Sequence, residues 1–111
     1  MPVKEAYILT DRPGEHVTIR RGGVEVPPAR GVLDLCDYMD FGNPGLATDQ
    51  TAVTILADAY GPEAARKYYV HFREAFLMPF LGMLDPAENL LARIDPHKMS
   101  DWAFRLGIEQ A

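Results

Sequence analysis

The run "HVTIRRGGVEVPP", residues 16–28, narrows the folding options of this chain more than any other stretch. Val17 and Ile19 alternate with polar neighbours at the period of a half-buried strand. The paired glycines Gly22 and Gly23 supply the positive φ angles that a tight hairpin turn needs. Hairpin register then places Val17, Ile19, Val24 and Val26 on one buried face. Pro27 and Pro28 end the run, because neither can donate a ladder hydrogen bond and each forces extended backbone around itself. Upstream, "AYILT" and the turn signal "DRPGE" add another strand, so residues 5–26 read as two or three short antiparallel strands.

Beyond the prolines the hydrophobic period changes. "VLDLC" reads as one more short strand or an extended crossing, and Asn43 to Gly45 as a turn. "ATDQTAVTILADAYG" then sets Ala52, Val53, Leu56, Ala59 and Tyr60 on one helical stripe, with Thr48 or Asp49 as cap and Gly61 as stop. Pro62 opens a second helix whose stripe is Ala65, Tyr68, Tyr69, Phe72 and Phe76, ended or kinked at Pro79. "DPAE" predicts a capping box, Asp85 to Glu88, ahead of a helix bearing Leu90, Leu91 and Ile94. "DPHKMSDWAFRLG" repeats the Asp-Pro start and closes at Gly107. Strands first and helices afterwards predict an α+β fold. The expected form is a small N-terminal antiparallel β-sheet of two to four short strands packed against a C-terminal bundle of three to four helices, in a single domain spanning 1–111.

Composition sets the class. With 111 residues, 48% hydrophobic and 24% charged, the chain can bury one core and lies far from the signature of disorder. The single cysteine, Cys36, excludes an internal disulfide framework, and the lack of a leader pattern or long apolar run predicts a cytoplasmic protein with no membrane partner. Sixteen acids against eleven bases give a formal charge of −5, which disfavours direct nucleic-acid binding and favours a basic surface on another protein.

No motif compels a chemistry. Asp34, Asp37 and Asp40 are three apart and would stack on a helix, yet a calcium loop begun at Asp37 has Met39 and Phe41 where acids belong, so no metal is expected. His16, His71 and His97 lie at a strand start, mid-helix and a helix start, with no two at ligand spacing. Three aspartates near Cys36 would raise a thiol's pKa rather than activate it. "GNPG" lacks the lysine of a phosphate loop and is followed by Asp49, so it reads as backbone geometry. Arg66, Lys67 and Arg73, joined by Arg20, Arg21 and Arg30, could form a basic patch, but Glu63 and Glu74 beside them favour a mixed solvated face. No cofactor is predicted.

Residues 33–78 carry a family resemblance. "LDLCDYMDFGNPGLATDQTAVTILADAYG" followed by "AARKYYVHFREAFL" resembles a widespread family of small bacterial and phage proteins of unassigned chemistry. That family's pattern is a Gly-Phe-x-Trp-Gly-Tyr-Gly-Gly-Ser-Gly-Pro loop before an "A-x-x-I-L-x-D" helix and a helix with spaced tyrosine and phenylalanine. Phe41 matches the loop phenylalanine, Gly42 to Gly45 a shortened glycine segment, Ile55 to Asp58 the first helix, and Tyr69, Phe72 and Arg73 the second. The loop tryptophan and tyrosine are missing, and Asp40, Asn43 and Pro44 replace much of the glycine run. The resemblance implies a phage, plasmid or host context rather than a reaction.

The expected function is therefore a non-enzymatic, acidic protein-binding module of phage or mobile-element type. Its most concrete form is an inhibitor of a host nucleic-acid-guided defence complex, similar to the anti-CRISPR proteins, acting by occlusion. Asp37, Tyr38, Asp40 and Phe41 would provide aromatic anchors and carboxylates, extended by Asp34, Glu25 and Asp49, toward a larger host or phage protein. The alternative is a small enzyme or ligand-binding domain with a pocket between sheet and helices, using Asp37 or Asp40 with His71 as acid and base. The apolar run "FLMPFLGML" also makes a homodimer patch an open expectation.

Overall fold

The computed structural model describes residues 5–79, 83–84 and 89–108. Its strands are β1 (Tyr7–Asp11), β2 (Thr18–Arg21), β3 (Val24–Val26), β4 (Met83–Leu84) and β5 (Leu90–Ile94), and its helices are α1 (Leu46–Tyr60), α2 (Pro62–Phe72) and α3 (Pro96–Leu106). The five strands form one antiparallel sheet in the order β3-β2-β1-β5-β4, a compact α+β arrangement as the sequence predicts. Gly22 and Gly23, at φ of 59° and 81°, close the β2–β3 hairpin with both central residues left-handed. That turn fixes the register Ile19 opposite Val26, and β1 continues the row with Leu9 opposite both Ile19 and Ala92. All four side chains of this row are buried on the helix-facing side. Val24 departs from the prediction. It shares the parity of Val26 but is 60% exposed, because it pairs with Arg21 at the end of the sheet, next to the turn.

Residues 90–94 are a strand and not the predicted helix. Leu90, Leu91 and Ile94 fit a helical stripe, but Leu90, Ala92 and Ile94 fit a strand face equally well, and a five-residue apolar run is ambiguous by period alone. The open edge of β1 decides: β5 pairs with it over its whole length, Tyr7 opposite Ile94 through Asp11 opposite Leu90. The sheet thus takes its centre from both halves of the chain. The capping-box residues 85–88 lie outside the described residues, as do Phe80, Leu81 and Gly82 of the expected dimer patch.

Helix α1 opens with the exposed Leu46 and is buried on every side from Thr48 to Leu56. One side carries Ala52, Val53, Ile55 and Leu56 into the core, while Thr48, Gln50, Thr51 and Thr54 are buried without being apolar. Their partners are the backbone of the crossing segment 29–43, which has no strand of its own. The Thr54 hydroxyl accepts from Ala29 N–H at 3.1 Å, and Gln50 Oε1 accepts from the N–H groups of Leu35 at 2.8 Å and Cys36 at 3.2 Å. Thr51 Oγ accepts from Asp40 N–H at 3.0 Å and donates to the Asp40 carbonyl at 2.6 Å. The Thr48 hydroxyl donates to the Asn43 carbonyl at 2.5 Å. A row of hydroxyl and amide side chains so does the work of a neighbouring strand, satisfying peptide groups that burial would otherwise orphan. This use explains why neither Thr48 nor Asp49 caps the helix. The helix begins earlier, after Gly45 at φ 143°, and no side chain caps it.

Two contacts lock the layers together. The buried Tyr7 hydroxyl donates to Asp58 Oδ2 at 2.6 Å, and Arg21 Nε donates to the same oxygen at 2.7 Å, tying β1 and β2 to α1. Burial, and then the Asp58 carboxylate, push the Tyr7 phenol well above its ordinary value. Helix α2 widens into a π-helical turn over Arg73–Leu77 before Pro79, and Phe72 and Phe76 stack on each other and meet the edge of Trp102 of α3. Asp95 caps α3 as predicted, accepting from His97 N–H at 2.8 Å, and Gly107 stops it in the left-handed region.

Replacing Gln50 with methionine keeps its bulk but strips the acceptor from Leu35 and Cys36. The expected outcome in denaturant titration is a loss of about 1–3 kcal/mol, the cost of orphaned buried N–H groups, with faster hydrogen exchange at those two amides. Asp95 predicts a pH effect. The His97 N–H, with Lys98 N–H adding, holds its carboxyl below the usual carboxylate range. A depressed folded value contributes stability above the unfolded value, about 3.9, that is lost as pH falls through the folded one. The thermal midpoint of Asp95→Ala should fall below that of the native protein at pH 7, and the gap should narrow as pH is lowered past 4.

Candidate functional site

The segment 37–45 is an anchored loop with some side chains buried and others exposed. Met39 and Phe41 are each 5% exposed and sit in the core, whereas Asp37 is exposed and Tyr38 is 42% exposed. Phe41 is therefore an anchor of the loop and does not present itself to a partner as the sequence suggests. Asp40 is half-buried and occupied locally: its carboxylate accepts from Phe41 N–H at 2.8 Å and from Asn43 Nδ2 at 3.1 Å, a turn held by its own side chain. The second link is Gly42 N–H to the Leu77 carbonyl at 2.9 Å, which fastens the loop to the π-helical turn. Desolvation, and secondarily the Asp40 charge, raise the Asp11 carboxyl at the end of β1.

Asp49 is likewise structural in placement. It is 8% exposed, at the fourth position of α1, and its Oδ1 receives Arg73 Nη1 at 2.7 Å. Arg73 also reaches Glu74 Oε1 at 2.8 Å, and both carboxylates hold the guanidinium above its ordinary pKa, Asp49 first. Asp34 is exposed but forked by Arg30, with Nε at 2.9 Å, and that guanidinium lowers its pKa. Arg66 donates to the Val32 carbonyl at 3.0 Å. The arginines that could have formed a basic patch are thus spent on the protein's own acids and backbone, in keeping with a mixed face.

What the loop does present is a groove. Tyr38 lies stacked on His16, ring centroids 4.8 Å apart and planes 22° apart, bridging the loop to the start of β2. Beneath this stack a depression of about 180 Å³ is bounded by Val26, Pro27, Pro28, Met39, Glu25 and Asp37. Its lining is mainly apolar and includes the acids Glu25 and Asp37. A second hollow, about 340 Å³, lies between α2 and the chain after α3, lined by Glu63, Lys67, Tyr68, Gly107 and Ile108 among others. Neither holds His71 or Asp40, so the acid–base pair of Asp37 or Asp40 with His71 does not line either space. His71, on α2, is exposed near Tyr68. Among the described residues no group of three or more histidine, cysteine or acidic side chains converges on a metal-sized space.

Sequence reasoning singled out Asp37, Tyr38 and Glu25 without His16, Pro27 and Pro28, which the structure places around the same depression. Pro27 and Pro28 signalled only the end of the sheet, and His16 only a strand start; their convergence with residue 38 depends on the crossing segment folding back across β3. No helix among the described residues is long and apolar enough to cross a membrane. Compared with protein families, curated proteins and solved structures, the chain matches none at a significant level.

The division of roles within the loop predicts opposite mutational costs. Phe41→Ala should lose about 3–5 kcal/mol in denaturant unfolding, as for a fully packed aromatic, while Tyr38→Ala should change stability by less than about 1 kcal/mol. Equal losses at both positions would contradict the separation into anchor and surface.

Proposed function

We propose that the protein is a non-enzymatic binding module that covers a basic surface of a larger protein with the face formed by Asp37, Tyr38, Glu25 and the outer edge of the loop. The observation that carries this reading is the unequal treatment of carboxylates. Asp34, Asp49 and Asp58 are each paired by an arginine of the same chain, whereas Glu25 and Asp37 are among the acids with no ion pair within 4 Å among the described residues, and these two line the groove together with the exposed Tyr38. An aromatic anchor beside carboxylates is a composition from which small interfaces gain affinity and orientation. The formal charge of −5 adds long-range attraction to a basic partner. Basic surfaces of this kind commonly serve nucleic acid, so a host nucleic-acid-guided defence complex, blocked by occlusion in the manner of anti-CRISPR proteins, is the most concrete form of the reading. The resemblance to phage and bacterial proteins supplies its context.

Affinity capture from host and phage-infected lysates, comparing the native protein with an Asp37→Ala/Tyr38→Ala variant of matched circular dichroism, tests the reading. The expected result is a stoichiometric partner lost in the variant and weakened by salt, whose nucleic-acid binding the native protein inhibits. A partner retained by the variant, or none, overturns it.

A further inference from the structure

We infer that the groove beneath the Tyr38–His16 stack receives a single arginine side chain from an extended segment of the partner. This inference rests on the reading of the loop as a protein contact and names the chemistry that the contact takes.

Size comes first. About 180 Å³ falls below the 300–1,000 Å³ typical of small-molecule pockets but suits one long side chain. The walls come next. Val26 and Met39, both buried, and the rings of Pro27 and Pro28 give an apolar channel for an aliphatic stem. The half-open Tyr38 ring is held in place by stacking on His16, so a planar guanidinium can lie along an already oriented aromatic face. Glu25 and Asp37, the acids among the lining residues, supply carboxylates, a group that arginine's planar fork can pair with more specifically than an ammonium does. The arginines beside these two acids have hydrogen-bond partners of their own. Arg20, directly across the hairpin from Glu25, turns its Nη1 to the Gly23 carbonyl, and Arg30 is forked to Asp34.

The sheet edge limits how the partner's backbone can lie. β3 is an edge strand, and in a two-residue hairpin Arg21 and Val24 form the hydrogen-bonded pair next to the turn. The N–H and C=O of Glu25 therefore point away from β2, toward the groove side. The next residue facing outward is Pro27, which has no N–H. A partner strand can bond at Glu25 but cannot extend along the edge, so the contact depends on the inserted side chain rather than on sheet addition.

The test is a titration of isotope-labelled protein, followed by amide chemical shifts, with acetyl-Pro-Ala-Arg-Ala-Pro-amide and its lysine and citrulline counterparts. The expected result is a saturable shift confined to amides of His16, Glu25, Val26, Asp37, Tyr38 and Met39. Binding should weaken at least threefold with lysine and tenfold with citrulline. Tyr38→Ala and, separately, Glu25→Gln should each weaken the arginine peptide at least threefold with the fold's shift pattern retained. Shifts spread over remote acids such as Glu63 and Asp101, no saturable shift, or equal binding of the citrulline peptide overturns the inference. Failure here alongside capture of a partner that needs Asp37 and Tyr38 removes only the arginine site; failure of both removes the binding reading as well.

Discussion

The crossing segment 29–43 hangs on the polar side of one helix, and most of what is distinctive in the structure follows from that attachment. Thr48, Gln50, Thr51 and Thr54 occupy helical positions that a simpler fold would leave to water, and each instead bonds the backbone of a chain with no strand neighbour. Because each such bond nets only about 1 kcal/mol while an orphaned buried N–H costs about 1–3, the set is held together more by the penalty of breaking it than by the gain of making it. Gln50 shows the limit of the device: its Oε1 serves two peptide groups while its buried Nε2 has no partner.

That attachment makes the loop a rigid platform. Met39 and Phe41 are buried in the core and fix the loop, and the exposed Tyr38 beside them stacks on His16 without a partner having to order it. Pre-ordering matters for a small surface, since immobilising a side chain on binding costs roughly 0.5–1.5 kcal/mol. The same economy governs charge. Arginines from β2, the crossing segment and the end of α2 neutralise Asp58, Asp34 and Asp49, while Glu25 and Asp37, which line the groove, have no such ion pair among the described residues.

Elements with their own local signal were legible. The Gly22–Gly23 hairpin, the Gly61–Pro62 break between α1 and α2, and the Asp95 cap with its Gly107 stop are each specified by residues adjacent in sequence, through backbone angles and capping bonds. Elements that needed a distant partner were misread. Residues 90–94 satisfy either period and became a strand because β1 had an open edge, and Thr48 and Asp49 looked like caps because nothing local reveals that a loop and Arg73 would claim them. The candidate site divided along the same line. Asp37 and Tyr38 are exposed, whereas Phe41 and Asp49, alike in chemistry, were drawn inside by contacts with remote residues.

The amino-acid sequence by itself determined the Gly22–Gly23 turn, the Gly61–Pro62 break, both ends of α3 and the α+β class, since these depend on φ preferences, caps and hydrophobic period over a few residues. Only the tertiary structure decided which face of the loop is surface, which acids keep their charge unpaired, and that His16, Pro27 and Pro28 meet Tyr38 around one groove. The reason is physical: burial and ion pairing are properties of what lies across from a residue, and across from residues 37–41 lie β2, the sheet edge and α1, brought together only when the chain has folded.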